Sequence, residues 1–298
     1  MSLDDIRPRR SLLFVPAVRP DRFPKALAAR PDVVCVDLED SVAPQEKSRA
    51  RELALPLFAE RREDGIERLL RINSVRSPAG LRDLSAVLDS HARPDGLMLP
   101  KVSSAEEVRW VAELLEQAGV PTGLYGLIET IDGLEQVQAI AGATPRLRAL
   151  LFGAVDLAAE VGCALDFAAL LYARSRIVHA AARHGLDALD VPYLALDDEA
   201  GLRAECEAVQ RLGFTGKAAI HPRQIPVIHG VFTPDPTKIA AAQQVVQAFE
   251  EAPGGLAVVG GKLVELPVVK GMRRILAVAK AAGALEPSAP ASSTTEGR

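Results

Sequence analysis

The sequence VVCVDLED, residues 33–40, decides the fold, because it joins a short apolar run directly to a group of acidic residues. A β-branched run of this length that ends in polar residues is typical of a buried strand. Similar runs recur along the chain with helical patterns between them, and this alternation predicts a parallel sheet. The eight predicted strands cover residues 12–15, 33–38, 69–72, 96–99, 123–128, 149–152, 188–194 and 217–220.

Eight strands favour an α/β fold of the closed (β/α)8 TIM-barrel type over an open, doubly wound sheet. A doubly wound sheet usually carries a glycine-rich phosphate turn, yet the chain holds no G-x-G-x-x-G or G-x-x-x-x-G-K motif. We predict that the barrel occupies residues 1–235 and that residues 236–285 form a C-terminal appendage of helices and a hairpin. Residues 286–298, rich in Pro, Ser and Thr, are predicted to be a disordered tail.

Composition excludes several classes of protein. With 35 Lys and Arg against 39 Asp and Glu, the net charge of −4 argues against a nucleic-acid partner. No stretch is apolar enough to predict a membrane span, and the first ten residues do not form a secretory signal. The three cysteines, Cys35, Cys163 and Cys206, have no metal-ligand spacing, which leads us to expect a reducing cytoplasm.

Polar residues follow most of the predicted strands, at the end of a barrel where active sites lie. Glu129 and Asp156 follow two consecutive strands, so their carboxylates can meet at one rim. Magnesium takes one or two protein carboxylates and keeps its other positions for water and substrate. The pattern therefore suggests a magnesium site, with a helix cap at Asp156 and a surface or arginine-paired Glu129 as the alternative.

Two cationic residues at strand ends have two interpretations each. Arg71 could clamp a substrate carboxylate with its guanidinium fork, or it could form an internal ion pair with Glu39 or Asp40. Lys101 could be the Schiff-base amine of a metal-free aldolase, although a charge-balancing role beside the acids of residues 37–40 is favoured.

A series of motifs then identifies a family. In chain order, the sequence resembles the citrate lyase β-subunit-like family, in the group that contains malyl-CoA and citramalyl-CoA lyases and class II 2-oxo-acid aldolases. The resemblance rests on RSLLFVP at 10–16, VDLEDSV at 36–42, RIN at 71–73, LPK at 99–101, LIET at 127–130, FG at 152–153 with DL at 156–157, LYARS at 171–175, and GK at 216–217 with IHP at 220–222.

The resemblance implies a TIM-barrel lyase that uses Mg²⁺, with Mn²⁺ as a substitute, and cleaves or condenses a 3-hydroxyacyl-CoA thioester. Malyl-CoA, citramalyl-CoA and citryl-CoA are such substrates, and their products are an acyl-CoA and a 2-oxo acid. It also implies a homotrimer or hexamer in which the appendage packs on a neighbouring subunit.

The resemblance also implies residue roles. Glu129 and Asp156 correspond to the metal ligands, with Glu129 also beside the substrate. Arg71 corresponds to the group that binds the oxo-acid carboxylate, and Glu39 and Asp40 line the metal site and order its waters. The basic residues Arg19 and Arg22 correspond to those that meet the CoA phosphates.

Two positions depart from the family pattern. Glu265, in GKLVELP at residues 261–267, stands where these lyases place a catalytic aspartate, and Ala17 replaces a common glycine. Because a longer carboxylate side chain moves its oxygens, the substitution bears on the reaction itself. Three alternatives therefore stay open: a citrate lyase β subunit that needs a carrier protein, a CoA-free class II aldolase, and a non-catalytic binding module.

Overall fold

A closed barrel of eight parallel strands forms the larger part of the protein, as the sequence predicts. The structure is a computed structural model that describes residues 7–60, 64–252 and 257–285. Each strand pairs with the next along the chain, and β8 returns to β1. The strands are β1 (Ser11–Pro16), β2 (Val33–Asp37), β3 (Glu67–Arg71), β4 (Gly96–Leu99), β5 (Gly123–Ile128), β6 (Leu147–Phe152), β7 (Asp187–Asp190) and β8 (Gly216–Ala219).

Helices follow the strands, and several begin at a side-chain cap such as Ser77, Ser104 or Thr130. The α-helices of the described residues are α1 (Phe23–Ala28), α2 (Lys47–Ala54), α3 (Pro78–Asp89), α4 (Ala105–Gln117), α5 (Ile131–Glu135), α6 (Val137–Ala141), α7 (Ala154–Val161), α8 (Leu171–His184), α9 (Glu199–Leu212), α10 (Ile225–Phe232), α11 (Pro236–Glu251) and α12 (Leu266–Ala281).

Two elements are shorter than their sequence patterns suggest. The helical pattern of residues 45–61 gives an α-helix that ends at Ala54, and a tighter turn containing Pro56 follows it. The seventh strand ends at Asp190 rather than at residue 194, because Pro192 has no N–H to donate to a neighbouring strand.

Side chains of the strands alternate between the barrel interior and the surrounding helices. The interior cluster contains Val33 and Cys35 of β2, Leu69 of β3, and Tyr125 and Leu127 of β5. Successive strand residues point to opposite faces, so the next interior position on each strand is two residues further on. That rule carries Asp37, Arg71 and Glu129 to the mouth of the barrel.

An ion-pair group occupies the amino-terminal end of the barrel. Nε of Arg9 lies 2.6 Å from Oε2 of Glu67 and donates to the Tyr125 hydroxyl at 2.7 Å. Nη1 of the same arginine lies 2.8 Å from Oδ2 of Asp187. The guanidinium thus pairs with two carboxylates beneath the interior cluster. The mouth, at the opposite end of the barrel, is where an active site is expected.

The described residues from Thr233 on form a second compact unit with Arg7 and Pro8. In this unit α11 and α12 accompany a hairpin of β9 (Ala257–Val259) and β10 (Lys262–Val264), whose strands are antiparallel. Ala257, Val264 and Val269 form its small core. The predicted tail, residues 286–298, lies outside the described residues, and the packing of the appendage on another subunit stays a prediction.

Candidate active site

A cavity of about 850 Å³ opens at the carboxyl ends of the strands. Its acidic part contains Asp37, Asp40, Glu129 and Asp156. Arg71 also lines it, so the cavity gathers residues from β2, β3 and β5 and from the start of α7. An apolar part includes the exposed or half-exposed side chains of Phe14, Val155, Leu194 and Ile220.

Hydrogen bonds from the Asp37 side chain and from two neighbouring residues stabilise the loop after β2. Oδ1 of Asp37 accepts the N–H of Glu39 at 2.8 Å. Nζ of Lys47 donates to the Leu38 and Glu39 carbonyls at 2.8 and 2.7 Å, and the Asn73 amide donates to the Leu38 carbonyl at 3.1 Å. These hydrogen bonds stabilise the backbone of the loop that carries Glu39 and Asp40.

Arg71 forms an ion pair with Glu39 and Asp40, one of the two interpretations of its sequence position, but its main partner is Asp37. Its Nε and Nη2 donate to the two oxygens of Asp37 at 2.6 and 2.7 Å. Burial alone would raise the pKa of Asp37, yet pairing with Arg71 outweighs it and holds that pKa below its ordinary value. Nη1 points to the other acids, 3.0 Å from Glu39 and 3.5 Å from Asp40.

Glu129 is buried at the end of β5, where two backbone features position it. Its Oε1 accepts the N–H of Lys101 at 2.8 Å. A Cβ at Gly153 would lie 2.4 Å from Cβ of Glu129 and 2.5 Å from its Oε2, so only glycine leaves room for this carboxylate. Burial, together with the charges of Glu39 and Asp156, raises the pKa of Glu129 to about 8.

The Lys101 side chain lies among three of the acids. Its Nζ is 2.6 Å from Oε1 of Glu39, 3.2 Å from Oδ2 of Asp156 and 3.8 Å from Oδ1 of Asp40. Burial lowers the pKa of Lys101, but the hydrogen bond and charge of Glu39 raise it by more, so the pKa lies above its ordinary value. A lysine held protonated is a poor Schiff-base nucleophile, and the contacts agree with charge balancing.

These residues together make the mouth cluster: Asp37, Glu39, Asp40, Arg71, Lys101, Glu129 and Asp156. It holds five carboxylates against two cations. An ammonium already sits among the acids, which shows that the cluster attracts positive charge. The donors are hard oxygens, as Mg²⁺ prefers.

Within the described residues, no three His, Cys, Asp or Glu side chains converge into a full metal cage. Mg²⁺ commonly uses only one or two protein carboxylates, with water and substrate oxygens completing its shell. Glu129 and Asp156, both in contact with the same lysine residue, are therefore a suitable pair.

The other predicted site residues lie in two places. Arg19 and Arg22 line the cavity together with Lys25, a third basic residue that the sequence analysis missed. All three are exposed, and Arg19 forms a two-point ion pair with Asp21 at 2.9 Å. Glu265 is exposed and immediately precedes α12 in the second unit. Its catalytic role stays a prediction.

The family is settled by comparison with known proteins. The family model described as HpcH/HpaI aldolase/citrate lyase matches residues 10–222, a span that contains every residue of the mouth cluster. The chain belongs to this family. The predicted lyase class is confirmed, since relatives of this chain are named as lyases.

Two relatives and one solved structure illustrate the similarity. A (3S)-malyl-CoA thioesterase of Cereibacter sphaeroides is 38% identical over 94% of this chain and 98% of its own. The citrate lyase subunit beta of Escherichia coli is 34% identical over 94% of this chain and 96% of its own. CitE from Mycobacterium tuberculosis, solved with magnesium, acetoacetate and coenzyme A, is 33% identical, covers 92% of this chain and all of its own, and has a TM-score of 0.75.

Among the described residues, no helix has the length and apolarity that a membrane span requires.

Proposed function

We propose that the protein is a Mg²⁺-dependent carbon–carbon lyase that acts on a 3-hydroxyacyl-CoA thioester and yields an acyl-CoA and a 2-oxo acid. The observation that carries this proposal is the mouth cluster, with its excess of carboxylates at the open end of the barrel. The CoA-bound neighbour and the named lyases in the family support the choice of a thioester.

Cleavage breaks the bond between the hydroxyl-bearing carbon and the α carbon of the thioester. The hydroxyl loses its proton as its carbon becomes the carbonyl of the 2-oxo acid, and the electron pair of the broken bond passes to the thioester, whose α carbon then takes up a proton. Bound at Glu129 and Asp156, Mg²⁺ would stabilise negative charge on the oxygens of the oxo acid.

The protein's own residues supply position and charge. Asp37 binds Nε and Nη2 of Arg71, so a substrate carboxylate would have to bind at Nη1, in exchange for its contact with Glu39. Glu39 and Asp40 would accept hydrogen bonds from the waters of a bound Mg²⁺. Glu265, from a neighbouring subunit in a homotrimer or hexamer, would give the proton to the thioester carbon.

The cavity suits a substrate larger than a 2-oxo acid alone. Its volume of about 850 Å³ lies toward the upper end of ordinary ligand sites. Arg19, Arg22 and Lys25 place exposed positive charge on its wall, where CoA phosphates can bind. The apolar side chains of Val155 and Leu194 provide contacts for the pantetheine arm.

An assay of the purified protein with (S)-malyl-CoA, (S)-citramalyl-CoA and citryl-CoA tests the proposal. Released 2-oxo acid and free CoA should be measured separately, since a lyase gives oxo acid and acyl-CoA, whereas a thioesterase gives free CoA. We expect oxo acid from one thioester, and a loss of about a hundredfold or more in Glu129→Gln.

Each alternative has its own result in this assay. Turnover only of an acyl group on a carrier protein would assign a citrate lyase β subunit, and turnover of free hydroxy-oxo acids would assign a CoA-free aldolase. Thioester binding without any turnover would assign a binding module. Full activity of Glu129→Gln in the presence of a chelator would exclude the proposed metal site.

A further inference from the structure

Lys101 has an unusual backbone. Its φ of +53° lies in the left-handed region, which among the described non-glycine residues only Arg30 shares. This conformation is unfavourable for a residue with a Cβ and is kept where the surroundings demand it. Here it accompanies the hydrogen bond from the Lys101 N–H to Oε1 of Glu129, 2.8 Å long.

The side chain of the same residue contacts the other acids. Its ammonium bridges Glu39, at 2.6 Å, and Asp156, at 3.2 Å. Glu39 is buried, whereas the Lys101 side chain is 38% exposed and that of Asp156 is 41% exposed. The contact with Asp156 therefore lies on the solvent side of the cluster, where an ammonium can move away into water.

From these contacts we infer that Lys101 is a positioning residue of the metal site, and that its ammonium competes with the divalent cation for Asp156. The inference rests on the proposed Mg²⁺ site at Glu129 and Asp156. Without the metal, Lys101 offsets the mutual repulsion of the carboxylates. With the metal, its ammonium leaves Asp156 and stays on Glu39, while its N–H continues to orient Glu129.

The physical reason is that two cations cannot share one carboxylate at short range without strong repulsion. The carboxylates, left without a cation, repel one another in the same way. Lys101 thus stabilises the empty arrangement and weakens binding of the metal by the same interaction. The metal site is therefore formed before the metal binds, and a bound metal can be exchanged.

Lys101→Met tests this, since it removes the ammonium and keeps a side chain of similar length. Mg²⁺ alone is the probe, with binding measured by calorimetry and thermal unfolding recorded with and without Mg²⁺. We expect Mg²⁺ to bind about tenfold more tightly. We also expect a lower Tm without Mg²⁺ and a larger rise in Tm on its addition.

The matched control is Lys25→Met, which removes the same charge from the same cavity at a residue not paired with these acids. Its Mg²⁺ affinity should equal that of the wild type. Lys101→Gly is the second variant, because glycine adopts a positive φ readily and folding is then easier to retain. Like Lys101→Met, the Lys101→Gly variant should bind Mg²⁺ more tightly than the wild type and have a lower Tm without Mg²⁺.

Three outcomes separate the inference from the function on which it rests. In the first outcome, the wild type binds Mg²⁺ and Glu129→Gln does not, which supports the metal site. If Lys101→Met and Lys101→Gly then bind Mg²⁺ no more tightly than the wild type, the inference about Lys101 is wrong. If the wild type does not bind Mg²⁺, or Glu129→Gln binds it equally well, both are overturned. Tighter binding in the Lys101 variants but not in Lys25→Met supports the inference.

Discussion

Two groups of charges in this protein differ in balance. The mouth cluster has five carboxylates and two cations, whereas a second group, the β7–β8 cluster of Arg174, Asp190, Glu205 and Lys217, has two of each. Nζ of Lys217 lies 2.6 Å from Asp190 and 2.6 Å from Glu205, and Nε of Arg174 lies 3.0 Å from Asp190.

The difference teaches how one barrel uses buried charge for two purposes. Lys217 is fully buried, and Arg174 stacks over the rings of Phe152 and Phe167 at 5.1 and 5.0 Å. This balanced cluster joins β7 and β8 to helices α8 and α9, so its role is structural. The excess of acids at the mouth is instead available to a cation and a substrate.

Breaking the balanced cluster should have the largest effect on stability. Lys217→Met leaves Glu205 without its buried partner and Asp190 with Arg174 alone, so we expect a loss of about 3–5 kcal/mol in the free energy of unfolding. Urea unfolding measures it. The exposed Lys25→Met should change stability by less than about 0.5 kcal/mol. Equal stability of the two variants would contradict a structural role for the cluster.

Gly153→Ala disturbs the mouth cluster without changing its charge. The new methyl group would meet Cβ and Oε2 of Glu129 at 2.4 and 2.5 Å. We expect a loss of about 1–3 kcal/mol in stability, and weaker Mg²⁺ binding because Glu129 must move. Calorimetry with Mg²⁺ and urea unfolding measure the two effects.

Gly126→Ala is the matched control for that variant, since its Cβ would meet Leu150 at an ordinary contact distance of 3.4 Å. It should retain Mg²⁺ binding. Unchanged Mg²⁺ affinity in Gly153→Ala would show that the position of Glu129 does not limit metal binding.

A histidine at the opposite end of the barrel, His229, should give the smallest effect. Nε2 of His229 lies 2.8 Å from the Ser11 hydroxyl, and burial, reinforced by Arg10, lowers the pKa of His229 below its ordinary 6.5. The unfolded chain therefore takes up the proton first as the pH falls, so this histidine lowers stability below about pH 6.5 and not above it.

His229→Gln should accordingly flatten the fall in stability between about pH 7 and pH 5 by less than about 1 kcal/mol, since solvent screens part of the effect. Urea unfolding at several pH values measures it. His91→Gln, at an exposed position, should keep the wild-type profile. If the pH profile of His229→Gln matches that of the wild type, His229 does not contribute to the pH dependence of stability.

The sequence predicts all eight strands, because most of them contain a short apolar run, such as VVCV in β2. The interior position of Asp37, Arg71 and Glu129 also follows from the two-residue period of a strand. The ion-pair partners of these residues are harder to predict. Asp37 belongs to the VDLEDSV motif, but its pairing with Arg71 depends on the register of β2 and β3.

Other features of the site have no local signal. Glu205 and Lys217 meet only because α9 packs beside β8. The need for glycine at 153 arises from a side chain on the neighbouring strand, and the positive φ of Lys101 accompanies a hydrogen bond to a residue further along the chain. Such contacts are properties of the folded arrangement.

The alternation of strand side chains has a consequence for how such an enzyme can change. Asp37, Arg71 and Glu129 each stand two residues beyond an apolar residue that fills the interior, Cys35, Leu69 and Leu127. The packed layer and the reactive layer are thus separate layers of side chains on the same strands. Evolution or design can therefore change the residues of the reactive layer to suit another acid or another acyl group, while the packed layer continues to stabilise the fold.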